Sequence, residues 1–216
     1  MSISSERIEL LNNLITPIIG LLGVLIGVVI SNFVSWKLKS KESRLKILEK
    51  IFDKRLKAHE EFLEIPKLLR TTTSSQETDE NNYFITYPLI LNSKETFENF
   101  LLKFYDSTNF RSHWFEKDLR KEAFFAQDYL QNVKKRINDI PDENCKELGK
   151  IIKADLKEIA DILEEKILDF LLIDIHKINI NSKNREFEYS NELKSKRLKK
   201  TQLLQKWYEI EKLKTK

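Results

Sequence analysis

Residues 14–36 read LITPIIGLLGVLIGVVISNFVSW, and this stretch decides the fold. It contains no charged side chain, and its polar residues are Thr16, Ser31, Asn32 and Ser35. Because a helix rises about 1.5 Å per residue, about 20 apolar residues reach across the hydrocarbon core of a bilayer, which is roughly 30 Å thick. The sequence therefore predicts one membrane-spanning helix at residues 14–36, which we call the apolar segment.

The flanks of the apolar segment predict its direction. The residues before it are acidic on balance, and no Ala-x-Ala pattern follows it, both of which argue against a cleaved signal peptide. Basic residues follow it: Lys37, Lys39, Lys41, Arg44 and Lys46. Because cytoplasmic flanks of spans are rich in Lys and Arg, we expect residues 1–13 outside the inner (plasma) membrane and residues 37–216 in the cytoplasm.

Three of these basic residues, with the indole of Trp36, should lie at the membrane interface. They are Lys37, Lys39 and Lys41. The single cysteine, Cys145, forms no disulfide within the chain and fits a reducing compartment.

Small residues recur along the apolar segment. They are Gly20, Gly23, Gly27, Ser31 and Ser35, and we call them the small-residue stripe. Their spacing places them on one side of a helix, and such stripes let two spans approach closely in lipid. Of the four glycines in the chain, only Gly149 lies outside the stripe. This distribution favours self-association over the alternative that glycine is simply common in spans.

Asn32 is an amide close to the predicted cytoplasmic end of the span. Polar side chains inside spans often line water-filled paths, so Asn32 is a candidate for a pore or its mouth. The alternative is a hydrated interfacial side chain.

The composition of residues 37–216 predicts helices. Gly and Pro are scarce, whereas Leu, Ile, Lys and Glu are abundant. The predicted fold is all-α, with one N-terminal transmembrane helix continuing into a cytoplasmic helical bundle of four or five helices. The first helix should run over about 14–69, where Pro66 bends or ends it.

The later boundaries follow from polar and apolar patterning. Residues 70–82 read as a loop, and 83–91 as packed irregular chain or a helical turn. Asn92 with Glu95 predicts a capping box that opens a helix to about residue 106. Further helices are expected over about 112–138, 142–177 and 186–212.

A basic cluster in the last helix is a candidate for binding an anionic ligand. It comprises Lys194, Lys196, Arg197, Lys199 and Lys200. Phosphates of lipid, nucleotide or nucleic acid would suit this charge. The alternatives are a solvated helix face, or a face docked on the acidic middle of a neighbouring chain.

Signatures of catalysis are missing from the sequence. It holds no glycine-rich phosphate loop, no Gly-x-Ser-x-Gly elbow and no His-Glu-x-x-His motif. Arg55 and His59 resemble part of the arginine–histidine motif of helical ribonucleases, but their spacing is one residue short. His59 falls on an apolar stripe and reads as a core histidine. We therefore predict no enzymatic activity, no cofactor and no metal site. Asp169 and Asp174 are carboxylates whose neighbours in the sequence are unusually apolar.

This layout resembles single-span effectors of bacterial anti-phage defence, in which a cytoplasmic domain senses a signal and the spans permeabilise the membrane. The resemblance implies a homo-oligomer in the lipid bilayer, with a nucleotide, an oligonucleotide or a co-encoded cytoplasmic protein as partner. It rests on layout and carries no functional residues across. The alternative is a membrane-anchored scaffold or adaptor whose helical bundle binds a cytoplasmic partner.

Overall fold

The computed structural model describes residues 5–78, 80, 82–172 and 190–214 of a mostly helical chain. The chain divides into two compact units, Met1–Ile51 and Phe52–Lys216, and we call the second the helical domain. The helices are α1 Ser5–Phe62, α2 Glu64–Arg70, α3 Lys94–Arg111, α4 Lys117–Asp139, α5 Cys145–Leu172, α6 Asn191–Leu198, α7 Gln202–Gln205 and α8 Trp207–Glu211. The strands are β1 Thr72–Thr78 and β2 Phe84–Pro88.

Helix α1 is the long apolar N-terminal helix that the sequence predicts. It ends at Phe62, and Leu63 separates it from α2, so the continuous helix to about residue 69 is wrong in its last turns. Pro66 lies in the first turn of α2, where its missing N–H leaves no helical bond unmade. The boundary between the two helices therefore precedes the proline, although Leu63 itself keeps helical backbone angles.

A small β-hairpin, in an otherwise mostly helical chain, occupies part of the predicted loop at 70–82 and part of the predicted irregular stretch at 83–91. Strands β1 and β2 pair antiparallel, with Thr72 opposite Pro88 and Thr73 opposite Tyr87. The hairpin is fastened to α5, because Lys153 donates to the Thr86 hydroxyl. The expected helical turn is confined to a 3-10 turn at Leu89–Leu91.

Helix α3 begins one residue later than the Asn92–Glu95 capping box predicts. The Ser93 hydroxyl accepts from the Thr96 N–H at 3.1 Å, and the Ser93 N–H donates to the Thr96 hydroxyl at 2.9 Å. This reciprocal pair satisfies the first amides of the helix. The capping box therefore exists, but Ser93 and Thr96 form it.

The core of the helical domain is built mainly by α4 and α5. Fully buried side chains recur at three- and four-residue spacing on both helices: Leu119, Ala123, Ala126, Leu130, Val133 and Ile137 on α4, and Leu148, Ile152, Leu156, Ala160, Leu163 and Ile167 on α5. One continuous cluster joins them to side chains of α2, α3 and the C-terminal helices. The 3.6-residue period of the sequence therefore places one face of each helix in the interior.

The C-terminal region differs from the single helix predicted over about 186–212. It forms the three short helices α6, α7 and α8, while residues 186–189 lie outside the described residues. The first break falls at Thr201, whose backbone is extended. The likewise predicted end of α5 near residue 177 lies outside the described residues.

Candidate functional site

Among the described residues, one helix is long and apolar enough to cross a bilayer, and it is α1, near the N-terminus. Its most apolar window has a mean hydropathy of 2.4, and none of that window is buried within the chain. Val24, for example, is 67% exposed. Exposed apolar surface of this extent is unfavourable in water, so α1 needs an apolar environment or a partner outside the chain.

The small-residue stripe lies open on α1. A Cβ atom built on Gly20, Gly23 or Gly27 would meet no heavy atom within 4 Å among the described residues. No described glycine has a positive φ, so the backbone conformation does not require glycine at these positions. Since glycine costs roughly 1 kcal/mol relative to alanine inside a helix, the packing of the single chain gives no reason for these glycines. Ser31 and Ser35 are exposed beside them.

The predicted interface residues are also exposed. Trp36 is 66% exposed, its ring centroid lies 6.4 Å from that of Phe33, and the Lys37 ammonium lies 5.1 Å from the Phe33 ring. Lys39 and Lys41 point away from the helix, as does Asn32. At 3.6 residues per turn, Asn32 lies about 120° around the helix from Gly20. The two therefore belong to different faces of α1.

The structure divides the basic C-terminal cluster. Lys194 forms an ion pair with Asp128 of α4, and Arg197 pairs with Glu122 at 2.8 Å. The Arg197 guanidinium also stacks 3.7 Å from the centroid of the Phe125 ring. These two cations therefore dock α6 on the acidic face of α4 in the same chain.

The other three cations of the cluster are exposed: Lys196, Lys199 and Lys200. A cleft of about 220 Å³ opens beside Lys200, and it is lined by Lys200 and Arg197 but also by the acidic Glu158 and Asp155. Opposite charges share this cleft, so it lacks the uniformly positive lining that a polyphosphate would require. The cluster is a docking face with an exposed basic margin.

Asp155 of α5 is the main polar residue that the sequence analysis missed. It is only 5% exposed, and its carboxylate accepts from the Gln202 N–H at 2.8 Å and the Leu203 N–H at 3.0 Å. It also accepts from the Tyr129 hydroxyl at 2.9 Å. Burial, and then the negative charge of Asp155, raise the pKa of Tyr129 well above its usual value.

This carboxylate caps α7 from another helix and explains why the C-terminal helix breaks at Thr201. A carboxylate at a helix start satisfies free amides and the positive end of the helix dipole. One signal in the sequence was available, since Asp155 stands on the apolar face of α5 between Ile152 and Ile159. A charge on such a face is rarely buried unless it is paired.

His59 is fully buried and hydrogen bonded, in agreement with its interpretation as a core histidine. Its Nδ1 lies 2.7 Å from the Arg55 carbonyl, and its Nε2 accepts from the Glu116 N–H at 3.4 Å. The ring stacks on Phe170 with centroids 3.8 Å apart. Burial lowers the pKa of His59 to about 4, so the imidazole is neutral near pH 7. Arg55 instead forms an ion pair with Glu116.

The remaining polar candidates that the structure describes lie in separate surroundings and do not form a common site. Asp169 faces outward and pairs with Lys166 at 3.1 Å. His113 is exposed at a 3-10 turn beside Trp114. Burial raises the pKa of the Cys145 thiol to about 11, which makes it a poor nucleophile. Asp174 and His176 lie outside the described residues.

Comparison with known proteins adds no relative. Within 5–78, 80, 82–172 and 190–214, no three His, Cys, Asp or Glu side chains are placed to hold a metal ion. No protein-family model, curated protein or solved structure matches the chain.

Proposed function

We propose that this chain is an oligomeric single-span membrane protein that permeabilises the membrane or conducts ions, as an effector of bacterial anti-phage defence gated by its helical domain. The observation that carries the proposal is the uncovered surface of α1. Its apolar side chains are exposed, and its small-residue stripe has no packing partner among the described residues.

Insertion of the apolar segment into the bilayer is the first step of the proposal. Burying an exposed Leu, Ile or Val is worth about 1.5–3 kcal/mol, and this segment offers more than ten such side chains. The helix satisfies its own backbone hydrogen bonds, which the bilayer requires. The basic flank from Lys37 onward favours a cytoplasmic helical domain.

Self-association through the small-residue stripe is the second step. Between lipid-embedded helices the hydrophobic effect is weak, so close packing decides association. Glycines without neighbouring atoms, such as Gly23 and Gly27, allow two backbones to come close. A four-residue repeat of this kind favours a right-handed crossing.

Gating is the third step, and it uses the angular separation of Asn32 from the stripe. When the stripe faces the partner helices, the assembly packs closely and leaves no aqueous path. Rotation of each span by about 120° would replace Gly20 at the axis by the amide of Asn32. A change in the helical domain, passed along the helix, would supply that rotation.

The test is the membrane potential of cells that express the chain, measured with a potential-sensitive dye at matched expression. We expect depolarisation by the wild type and altered depolarisation by Gly27→Leu, which fills the stripe. Ile26→Phe is the control and should leave depolarisation unchanged, because Ile26 lies about 120° from both Gly20 and Asn32 and is 59% exposed. Equal potentials in the wild type, in Gly27→Leu and in empty cells, also during phage challenge, would contradict a conducting effector.

A membrane-anchored scaffold is the second candidate, and exposed apolar residues of α5 favour it. Leu168 is 41% exposed and Leu172 is 74% exposed, and the two lie one turn apart on the same face. Such a face suits a protein partner. The scaffold predicts that Gly27→Leu weakens pairing of the chain without any change in membrane potential.

An anionic ligand, such as a nucleotide or oligonucleotide, is a candidate signal for gating. It would bind the exposed margin of the basic cluster, where Lys196, Lys199 and Lys200 have solvent access. We expect binding that weakens steeply with salt and is lost in Lys199→Glu with Lys200→Glu. Lys57→Glu, an exposed cation of α1, is the control that should leave such binding unchanged. Salt-independent binding would exclude this site.

A further inference from the structure

Three leucines of residues 37–51 lie on one side of α1 after the apolar segment has ended, whereas Ile47 lies on the opposite side and is 56% exposed. Leu38 and Leu45 are seven residues apart, and Leu48 follows three residues later. Leu38 is 61% exposed and Leu45 is 64% exposed, although Lys and Glu surround them. Single exposed leucines are ordinary, but leucines at seven-residue spacing form the seam of a coiled coil.

The charges beside this seam are arranged for a parallel partner. With Leu38 and Leu45 at the first core position of each heptad (a) and Leu48 at the second (d), Lys37 and Arg44 occupy the g positions. Glu42 and Glu49 occupy the e positions. In a parallel, in-register pair, each g side chain meets the e side chain five residues further along the other helix.

We propose that residues 37–51 pair with the same residues of a second copy of this chain as a parallel, in-register coiled coil. Lys37 would then meet Glu42 of the second copy, and Arg44 would meet Glu49 of the second copy. An antiparallel pair would instead bring Lys37 and Arg44 of the two chains together, and like charges would repel. The charge pattern therefore selects both the partner and its direction.

Three charged residues must adjust in this pair, and Lys37 does so by leaving the Phe33 ring. Glu42 lies 2.8 Å from Lys46, but both side chains are more than 60% exposed, so exchanging this partner costs little. Lys41 falls at a second core position. Its aliphatic stem covers the seam while its ammonium extends to water or lipid phosphate, which weakens the pair without preventing it.

The seam continues a surface already described. In helical projection, Gly20, Gly27, Leu38 and Leu45 lie within about 20° of one another. A single partner helix would therefore meet the small-residue stripe and the leucine seam along one face. About two heptads are too short to pair in water alone. The coiled coil thus rests on the proposed membrane anchorage of α1, which raises the local concentration of the two helices.

The test is cysteine cross-linking of the full chain in native membranes, read on non-reducing gels. Leu45→Cys places thiols across the seam, where the Cα separation suits a disulfide. We expect a cross-linked dimer on mild oxidation. Ser43→Cys, on the outer side of the helix, is the matched control and should give at least about fivefold less dimer. Cys145 is buried, and unsubstituted chain gives the background.

Charge reversal tests the register. In the Leu45→Cys chain, Lys37→Glu with Arg44→Glu sets Glu against Glu and should lower the dimer yield about fivefold or more. Adding Glu42→Lys with Glu49→Lys to the same chain should restore it. Lys39, Lys41 and Lys46 remain, so the basic flank persists in the first variant.

Three results would overturn the coiled coil. They are equal cross-linking at positions 43 and 45, charge reversal without effect, and loss without rescue by the second pair of substitutions. Membrane-inserted chain without the Leu45 cross-link contradicts the coiled coil alone. Chain found in the soluble fraction contradicts the anchorage as well, and thereby the proposed function.

Discussion

Helix α1 before residue 52 and the helical domain use the same apolar residue types in opposite ways. In the helical domain, side chains such as Leu130 and Leu156 are completely buried. In the apolar segment, Leu22 and Leu25 are about half exposed, and no packing within the chain covers them. The helical domain therefore carries its stability internally, whereas α1 needs its surroundings. Substitutions matched across the two units test this contrast.

Truncating a leucine should give the largest difference between the two units. Leu130→Ala removes a side chain from the packed core and should lower the free energy of unfolding of the helical domain by about 2–5 kcal/mol. Leu25→Ala removes the same atoms from an exposed position and should leave that free energy unchanged. Denaturant unfolding of detergent-solubilised chain, followed by near-UV circular dichroism, measures both. Equal losses would remove the contrast.

Acidification should destabilise the helical domain through His59. Its pKa is about 4 when folded and 6.5 when unfolded, so below pH 6.5 the unfolded chain binds the additional proton. The stabilisation is complete above pH 6.5 and is lost as the pH falls towards 4, by about 3 kcal/mol in all. His59→Phe keeps an aromatic ring against Phe170 but has no proton to bind.

Carboxylates also titrate in acid, but they are the same in the wild type and in His59→Phe. The difference between the two pH profiles of unfolding free energy therefore reports the contribution of His59 alone. The free energy of unfolding should depend more steeply on pH between 6.5 and 4.5 in the wild type than in His59→Phe. Parallel pH profiles would show that His59 titrates alike in the folded and unfolded chains.

Asp155→Asn should destabilise the C-terminal helices. The neutral amide keeps one acceptor oxygen, so the buried donors of Tyr129, Gln202 and Leu203 all lose the negative charge and at least one of them loses its acceptor. We expect a loss of about 2 kcal/mol and faster hydrogen exchange at Leu203. Asp169→Asn, at an exposed carboxylate, is the control and should cost less than about 1 kcal/mol. Similar losses in both variants would contradict the capping role of Asp155.

Glycine-to-alanine substitutions should have the smallest effects, with a different outcome in each unit. A Cβ on Gly149 would lie 3.2 Å from the Leu91 Cβ and 3.4 Å from the Pro88 Cδ. Leu91 is fully buried and has little room to move, so this crowding should outweigh the helix gain of alanine and Gly149→Ala should destabilise the helical domain by about 1 kcal/mol. Gly23→Ala meets no neighbour within the chain and should leave domain stability unchanged. It should, however, weaken dimer formation in membranes, because it fills the small-residue stripe.

The sequence was sufficient where one helix face determines the structure. The apolar segment defined α1, and three- and four-residue spacing located α4 and most of α5. Local sequence patterns did not predict the structure where contacts with another element determine it. The polar strand Thr72–Thr78 shows no apolar alternation, and it gains its place by pairing with β2, which α5 anchors.

Long-range contacts also determine where helices end and which cations of the basic cluster form ion pairs. The break at Thr201 depends on Asp155, which is 46 positions earlier in the chain. Docking of Lys194 and Arg197 on α4 depends on Asp128 and Glu122. A charge count identified these cations as a cluster but gave no information on which of them are paired within the fold.

The most direct test of the central claim is labelling of single cysteines in intact cells with a membrane-impermeant maleimide. Val24 is 67% exposed in the chain, yet Val24→Cys should stay unlabelled in native membranes, because lipid surrounds it and the reactive thiolate requires water. Ser43→Cys should be labelled once the cells are permeabilised, and Ser5→Cys without permeabilisation. Labelling of Val24→Cys as fast as that of Ser43→Cys would contradict a membrane-spanning α1.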